Sequence, residues 1–188
     1  MKKLQTYLLS LLIIVSFTAC KRDSSGPCGG DKTYHYLSDV DKAKVPYFGF
    51  DSLVFVSNTN DTAICIGQGK KQFYEILATP VANGDCDPRL DYYEAYNYKF
   101  SDKNNLLNIT INIWENDLYM YDVMDININT YRLYPVNLRF LTEKYYDDSI
   151  QVNNMNWKVN KIGSFIKYNM QKGIMYCENE NKKWTLIN

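Results

Sequence analysis

Leu107-Asn108-Ile109-Thr110-Ile111-Asn112-Ile113 is the stretch that decides the fold. Branched aliphatic side chains take every second position, and polar ones fill the positions between. In an extended chain successive side chains point to opposite faces, so a repeat of two puts one face in a core and the other toward water. A helix would scatter the same residues around its circumference. Residues 105–115 therefore predict a half-buried antiparallel strand.

The same pattern spreads outward from this stretch. In residues 91–101, Tyr92, Tyr96, Tyr98 and Phe100 share one face, with Glu94 as the exception. In residues 131–140, Tyr134, Val136, Leu138 and Phe140 point inward, while Pro135, Asn137 and Arg139 point out. Pro135 marks an edge or a bulge there, because it has no N–H to donate to a neighbour. Further strands are predicted at residues 48–57, 61–67, 72–78, 118–129, 163–170, 174–178 and 182–187. Turn-forming clusters separate them: Asn58-Thr59-Asn60, Gly67-Gln68-Gly69, Asn83-Gly84-Asp85, Glu115-Asn116-Asp117 and Asn179-Glu180-Asn181. Outside the N-terminus no helix of ordinary length is read, which excludes parallel βαβ units. The class is all-β, an antiparallel up-and-down meander of roughly nine or ten strands. Such a sheet must deal with its edges, so the expectation is a curved, lipocalin-like barrel or, alternatively, a β-sandwich.

The first twenty residues carry an address. Lys2 and Lys3 precede an apolar run from Tyr7 to Ala19, about thirteen residues against the roughly 20 that span a bilayer. That is an export signal rather than a membrane helix. Phe17-Thr18-Ala19-Cys20 resembles the lipobox of bacterial lipoproteins, with Ala19 and Cys20 in the expected places and Phe17 where an aliphatic residue is usual. The resemblance implies cleavage before Cys20 and acylation of Cys20. The expected organisation is a signal peptide at residues 1–19, a lipid-anchored tether at 20–46 and one β domain at 47–188. The tether is read from the polar, Gly-rich start Lys21-Arg22-Asp23-Ser24-Ser25-Gly26-Pro27, with one short helical turn expected between residues 33 and 45.

The full chain carries 21 basic and 21 acidic residues. Loss of Lys2 and Lys3 with the leader leaves a small acidic excess, which excludes the basic stripe that nucleic-acid binding needs. With Cys20 acylated, Cys28, Cys65, Cys86 and Cys177 remain. An even set in an oxidising compartment predicts two disulfides of unassigned pairing. Zinc is disfavoured, since there is no Cys-x-x-Cys and His35 is the single histidine.

No catalytic residue, metal site or cofactor is assigned from the sequence. His35 falls in the expected tether, which excludes a histidine-assisted nucleophile. Glu94 interrupts an aromatic face: it either lines a pocket with a raised pKa or, more plainly, hydrogen-bonds a tyrosine hydroxyl. Asp85-Cys86-Asp87 with Asp91 lacks the glycine and glutamate of an EF-hand and reads as an acidic loop. Tyr119 and Tyr121 are placed on the outward face beside Asn108, Thr110 and Asn112, either as a contact patch for sugar or protein or beneath a second sheet that covers them.

Lys172-Gly173-Ile174-Met175-Tyr176 and the ending Lys183-Trp184-Thr185-Leu186-Ile187, together with the lipobox and the Tyr- and Asn-rich strands, resemble small lipoproteins of Bacteroidota. The resemblance implies an outer-membrane address in the cell envelope. It also implies O-glycosylation at Asp-Ser/Thr-aliphatic motifs, here at Ser52, Thr62 and Ser149. The expected function is a non-enzymatic binding or envelope-interaction domain, held to the membrane by its lipid. Its partner is an unknown protein, glycan or small molecule. A carrier of a small apolar or aromatic ligand is the alternative, and a carboxylate-based glycan enzyme using Glu94 comes third.

Overall fold

The computed structural model describes residues 32–79, 89–116, 121–132, 135–179 and 181–188. The chain forms two compact units, residues 1–33 with 78–90 and residues 34–77 with 91–188. Of the first unit only strand ends are described, at 32–33, 78–79 and 89–90. The second unit holds the rest of the described chain, including its core.

The strands in chain order are β1 (Lys32–His35), β2 (Ser52–Ser57), β3 (Thr62–Thr79), β4 (Arg89–Asp102), β5 (Asn108–Trp114), β6 (Val123–Ile128) and β7 (Tyr131–Arg132), followed by β8 (Val136–Asn137), β9 (Asp148–Val152), β10 (Met155–Ile162), β11 (Ile166–Asn169), β12 (Gly173–Asn179) and β13 (Lys182–Leu186). One helical turn, Asp39–Lys42, and two 3-10 turns, Leu138–Phe140 and Glu143–Tyr145, accompany them.

Among the described residues the strands join in one sheet, ordered β7-β6-β5-β4-β3-β2-β13-β12-β11-β10-β9, with β1 added to β4 and β8 to β6. The pairings are antiparallel, so the predicted all-β meander is what the chain forms. Closure into a barrel is not: the path ends at β7 and β9. Its ends are protected by other means. β7 is only two residues long, and β9 carries Asp148 in ion pairs with Lys161 and Lys167. Short strands and charge are established ways to blunt an edge.

The Leu107–Ile113 stretch behaves as its period requires. Leu107, Ile109, Ile111 and Ile113 are buried, and Asn108, Thr110 and Asn112 lie on the other face. Full burial of one such side chain contributes about 1.5–3 kcal/mol. A single core joins them to Phe55, Tyr98 and Phe100 and, from the far end of the path, to Val159, Ile162 and Tyr168.

Along the sheet, two sequence readings need correction and one hairpin goes unread. First, Gly67-Gln68-Gly69 is not a turn, because β3 runs through it for 18 residues. Gly69 has φ 111°, and the inward positions shift from Ala63 and Cys65 before it to Gln72 after it. Gly67 N–H donates to the Asp51 carbonyl at 2.9 Å and Gly69 N–H to the Gly49 carbonyl at 2.8 Å. A Cβ on Gly67 would lie 2.2 Å from the Gly49 oxygen, so this bulge admits only glycine.

Second, residues 131–140 are not one strand. They form the short β7 and β8 and a 3-10 turn, which buries Leu138 and leaves Phe140 exposed. Tyr134 lies outside the described residues. Third, alternation does not announce the β9–β10 hairpin. Its two-residue turn is Asn153-Asn154, with φ 49° and 63°. That is the geometry of a tight hairpin turn, and asparagine tolerates it.

The largest correction is to the tether. From residue 32 onward it belongs to the fold. Leu37, Val45 and Tyr47 are core residues, and the expected helical turn appears at Asp39–Lys42. The sheet satisfies this segment's polar groups. Tyr47 Oη accepts from Ile174 N–H at 2.7 Å, and its ring meets the edge of Phe100 at 5.0 Å. Gly173 permits this, since a Cβ there would sit 1.9 Å from Tyr47 Oη. Lys44 Nζ donates to the Leu138 carbonyl at 2.8 Å, and Tyr168 Oη donates to the Lys44 carbonyl at 2.9 Å. Leu37, Val45 and Tyr47 of residues 37–47 thus pack on the inner face against β4 and β12. The leader, Cys20 and the stretch up to residue 31 lie outside the described residues. No helix among the described residues is long and apolar enough to cross a membrane.

Candidate functional site: a tyrosine-rimmed recess

Glu94 is buried on the inner face of β4, and all of its acceptor capacity is used. Its Oε1 accepts from Tyr96 Oη at 2.6 Å and Gln72 Nε2 at 2.8 Å. Its Oε2 accepts from Leu37 N–H at 3.0 Å and pairs with Lys42 Nζ at 2.8 Å. Burial alone would raise its pKa, but the bonds from Lys42, Tyr96 and Leu37 outweigh burial and lower it. The pocket-lining, raised-pKa expectation is therefore corrected: Glu94 fastens residues 37–42 to β4 and Tyr96.

The open chemistry lies next to it. Tyr36, Ser38, Asp41, Glu115, Tyr121, Asp122 and Arg139 line a recess of about 380 Å³. Local sequence builds its floor. Ser38 caps the Asp39–Lys42 turn: its Oγ accepts from Asp41 N–H at 3.0 Å and donates to Asp41 Oδ2 at 2.9 Å. Lys44 Nζ pairs with Asp41 Oδ1 at 2.5 Å. Asp122 enters from the start of β6 and hydrogen-bonds Asp41.

These two carboxyls hydrogen-bond each other and are driven apart in pKa. Partial burial, the bond to Asp41 and the charge of Asp41 push Asp122 up to about 7. Burial would also raise Asp41, but the bonds from Asp122, Lys44 and Ser38 outweigh it and hold Asp41 low. The proton resides on Asp122 because Asp41 has the cation.

The rim is aromatic. Tyr36 is 61 % exposed and belongs to a cluster in which Tyr34 stacks on Tyr92 at 4.8 Å and meets Tyr74 edge-on at 5.6 Å. Tyr36 itself lies 6.4 Å from both Tyr34 and Tyr74. Exposed ring faces beside carboxyls, a serine and Arg139 can bind a polyhydroxylated ring, through apolar contact below and hydrogen bonds around its edge.

Of the contact patch read from sequence, Tyr121 lines this recess and Tyr119 lies outside the described residues. The polar row expected beside it is a ladder. Asn97 Nδ2 donates to Asn112 Oδ1 at 2.5 Å, and Asn112 Nδ2 donates to Asp125 Oδ1 at 2.6 Å.

His35 belongs to the fold rather than to a tether: its Nε2 meets Asp91 Oδ1 at 3.1 Å and its ring stacks on Tyr93 at 4.5 Å. Asp91 is thereby engaged, while Asp85 and Asp87 lie outside the described residues. Among the described residues no group of three or more His, Cys, Asp or Glu is arranged to hold a metal. The disulfide expectation is corrected for Cys65 and Cys177, which are buried free thiols. Both point into the core, where burial pushes Cys65 up to about 12 and Cys177 well above its ordinary value. Cys28 and Cys86 lie outside the described residues. Ser52, Thr62 and Ser149 are all exposed, each on a strand.

Sequence reading missed the recess because Asp41 and Asp122 are far apart in the chain, and Tyr36 to Asp41 read as tether. One signal was present. Ser38-Asp39-Val40-Asp41 is a helix-start signature, out of place in a flexible linker. Compared with protein families, curated proteins and solved structures, the chain matches none.

Proposed function

We propose that this chain is a lipid-anchored protein of the bacterial cell envelope, held at the outer membrane through Cys20, whose β domain binds a glycan at the tyrosine-rimmed recess without transforming it. The observation that carries the binding site is the conjunction of the exposed Tyr36 ring with the hydrogen-bonded Asp41–Asp122 pair and Arg139 on one concavity. The lipid anchor rests on the resemblance of Phe17-Thr18-Ala19-Cys20 to a lipobox. Residues 37–47, through Leu37, Val45 and Tyr47, occupy the inner face that a carrier of apolar ligands would keep open, which counts against the carrier reading. The engagement of Glu94 by four donors counts against the enzyme. Exposure of Ser149 on β9 is compatible with O-glycosylation there, whereas Ser52 and Thr62 lie on the outer face of β2 and β3, opposite Ile66 and Val56.

Calorimetric titration with a panel of neutral and acidic oligosaccharides tests the site. At least one member should bind, and Tyr36→Ala should weaken it tenfold or more while leaving the unfolding midpoint nearly unchanged. Binding that survives Tyr36→Ala and Arg139→Ala alike would place the ligand elsewhere. For the anchor, mass spectrometry should find acyl chains on Cys20 and their loss, with release from membranes, in Cys20→Ala.

A further inference from the structure

The outer face of the β2–β3 hairpin carries a strip of apolar side chains that, among the described residues, no other element covers. Register places them side by side: Val54 opposite Ile64, Ser52 opposite Ile66, Val56 opposite Thr62, and Val56 also opposite Thr185 on β13. Ile187 N–H donates to the Val54 carbonyl at 2.9 Å, which adds a further aliphatic residue. The bonds from Gly67 and Gly69 to Asp51 and Gly49 continue the pairing past the start of β2 and set Phe50 opposite Gln68. Phe48 is 85 % exposed, Phe50 79 %, Ile66 58 % and Ile64 47 %. The two phenylalanines do not sit on a loose loop. Asp51 Oδ2 accepts from Phe48 N–H at 2.8 Å and Gly49 N–H at 2.9 Å, and the glycine bulge holds Gly49 against β3. Large rings held outward on fixed backbone mark an interaction surface.

Charge and reach choose the occupant. The outward charged positions bordering the strip are Lys71, Lys99 and Lys183, all exposed, with Glu178 opposite Lys183 on β12 and Glu75 further along β3, which leaves the border cationic on balance. A second copy packed face to face would set this cationic border against itself; a bilayer with anionic headgroups complements it. Reach agrees. With an acylated Cys20, the eleven residues 21–31 separate the lipid from Lys32, at most about 40 Å when fully extended. A surface kept that close meets the membrane at high effective concentration, so even a weak contact is occupied.

We propose that the strip Phe48, Phe50, Val54, Ile64 and Ile66 docks on the bilayer surface, with both phenylalanine rings among the headgroups, a proposal that rests on the lipid-anchor reading. The test uses the full chain carrying Phe50→Trp, processed as it is in the cell. It is reconstituted in phosphatidylethanolamine–phosphatidylglycerol vesicles whose acyl chains are brominated. Emission beyond that of the unsubstituted chain should fall at least twofold relative to unbrominated vesicles. Adding Phe48→Ser and Ile66→Ser should abolish that quenching while the circular dichroism stays that of a β protein. An added emission equally open to aqueous acrylamide with and without vesicles overturns the proposal. So does one shielded from acrylamide without vesicles and increasingly so with protein concentration, which marks a second copy. Flotation and mass spectrometry separate the two readings. A chain that floats with vesicles yet is not quenched keeps the anchor and loses the docked face. A quenched chain without acyl mass at Cys20 keeps the face and loses the anchor.

Discussion

Phe55 and Ile66 sit on the same hairpin, on opposite faces of it. Phe55 is fully buried and belongs to the core, while Ile66 is more than half exposed beside Val54 and Ile64. Residues of similar hydrophobicity thus have different work, and the period of two decides which. The inner face is covered by the chain's own Leu37, Val45 and Tyr47. The outer face holds comparable apolar surface and leaves it to something else. Hydrophobicity alone does not define a core; a covering element does.

The largest effect should come from the inner face. Phe55→Ala removes a ring from the centre of the core and should cost about 3–5 kcal/mol, read as a lower urea midpoint with the denaturant slope unchanged. A loss below about 1 kcal/mol would mean that the inner face is packed no better than the outer.

A middle-sized effect should come from the recess, where the two carboxyls tie residues 38–41 to β6. Asp122 is raised from the ordinary 3.8 to about 7, so between those values the folded chain holds a proton that the unfolded chain has released. Its contribution to stability is therefore present at low pH and lost as pH rises from about 4 to about 7. Asp122→Asn should flatten that part of the profile and, by urea unfolding, bring the midpoints at pH 5 and pH 8 closer together. The carboxylates held low by their cations, Asp41, Glu94, Asp61 and Asp148, act in a different window. Their contributions fade only as pH drops below the usual carboxylate range, so the two sets separate by titration. A slope between pH 5 and pH 8 unaltered by the substitution would remove the split between the two carboxyls.

The smallest effect should be at the outer face. Ile66→Thr keeps β-branching and removes only exposed apolar surface, so stability should stay within about 0.5 kcal/mol. Thermal unfolding of this variant beside Phe55→Ala gives the cleanest contrast between the faces. A large loss at Ile66 would show that the outer strip is already covered in solution.

How much of the fold could be read from the chain depends on the same contrast. Alternation found β5, the tyrosine face of β4 and the last hairpin, because each is buried on one side and period two is then a strict requirement. It failed where backbone geometry rather than side-chain pattern decides. Gly67 and Gly69 look like a turn until Gly49 is brought opposite them, and only pairing partners distinguish a bulge from a reversal. Asn153-Asn154 looks like a polar run, yet both residues have positive φ and close a hairpin. Residues 36–48 have the composition of a linker, with three apolar anchors too irregularly spaced to show a period. Their place is set by polar atoms, Tyr47 to Ile174 and Lys44 to Leu138, which no local pattern reveals. The recess was hidden for the same reason, since half of it stands on that segment. Glu94 was legible as an oddity, and its environment was not.

The segment over the inner face also orders events in time. Tyr47 waits for Ile174, 127 positions later, and Lys44 for Tyr168, 124 positions later. Contacts of such separation are slow to form, because the intervening loop must close before they can be made. A chain emerging from its N-terminus can fasten residues 37–42 once β4 has arrived, while Lys44 and Tyr47 wait for β11 and β12. During that interval the inner row of β4 and β5 has only part of its lid. Vectorial emergence thus leaves the 44–47 end of the first-made part of this domain to be the last piece locked, and a chaperone acting on the nascent chain would find Val45 and Tyr47 still exposed.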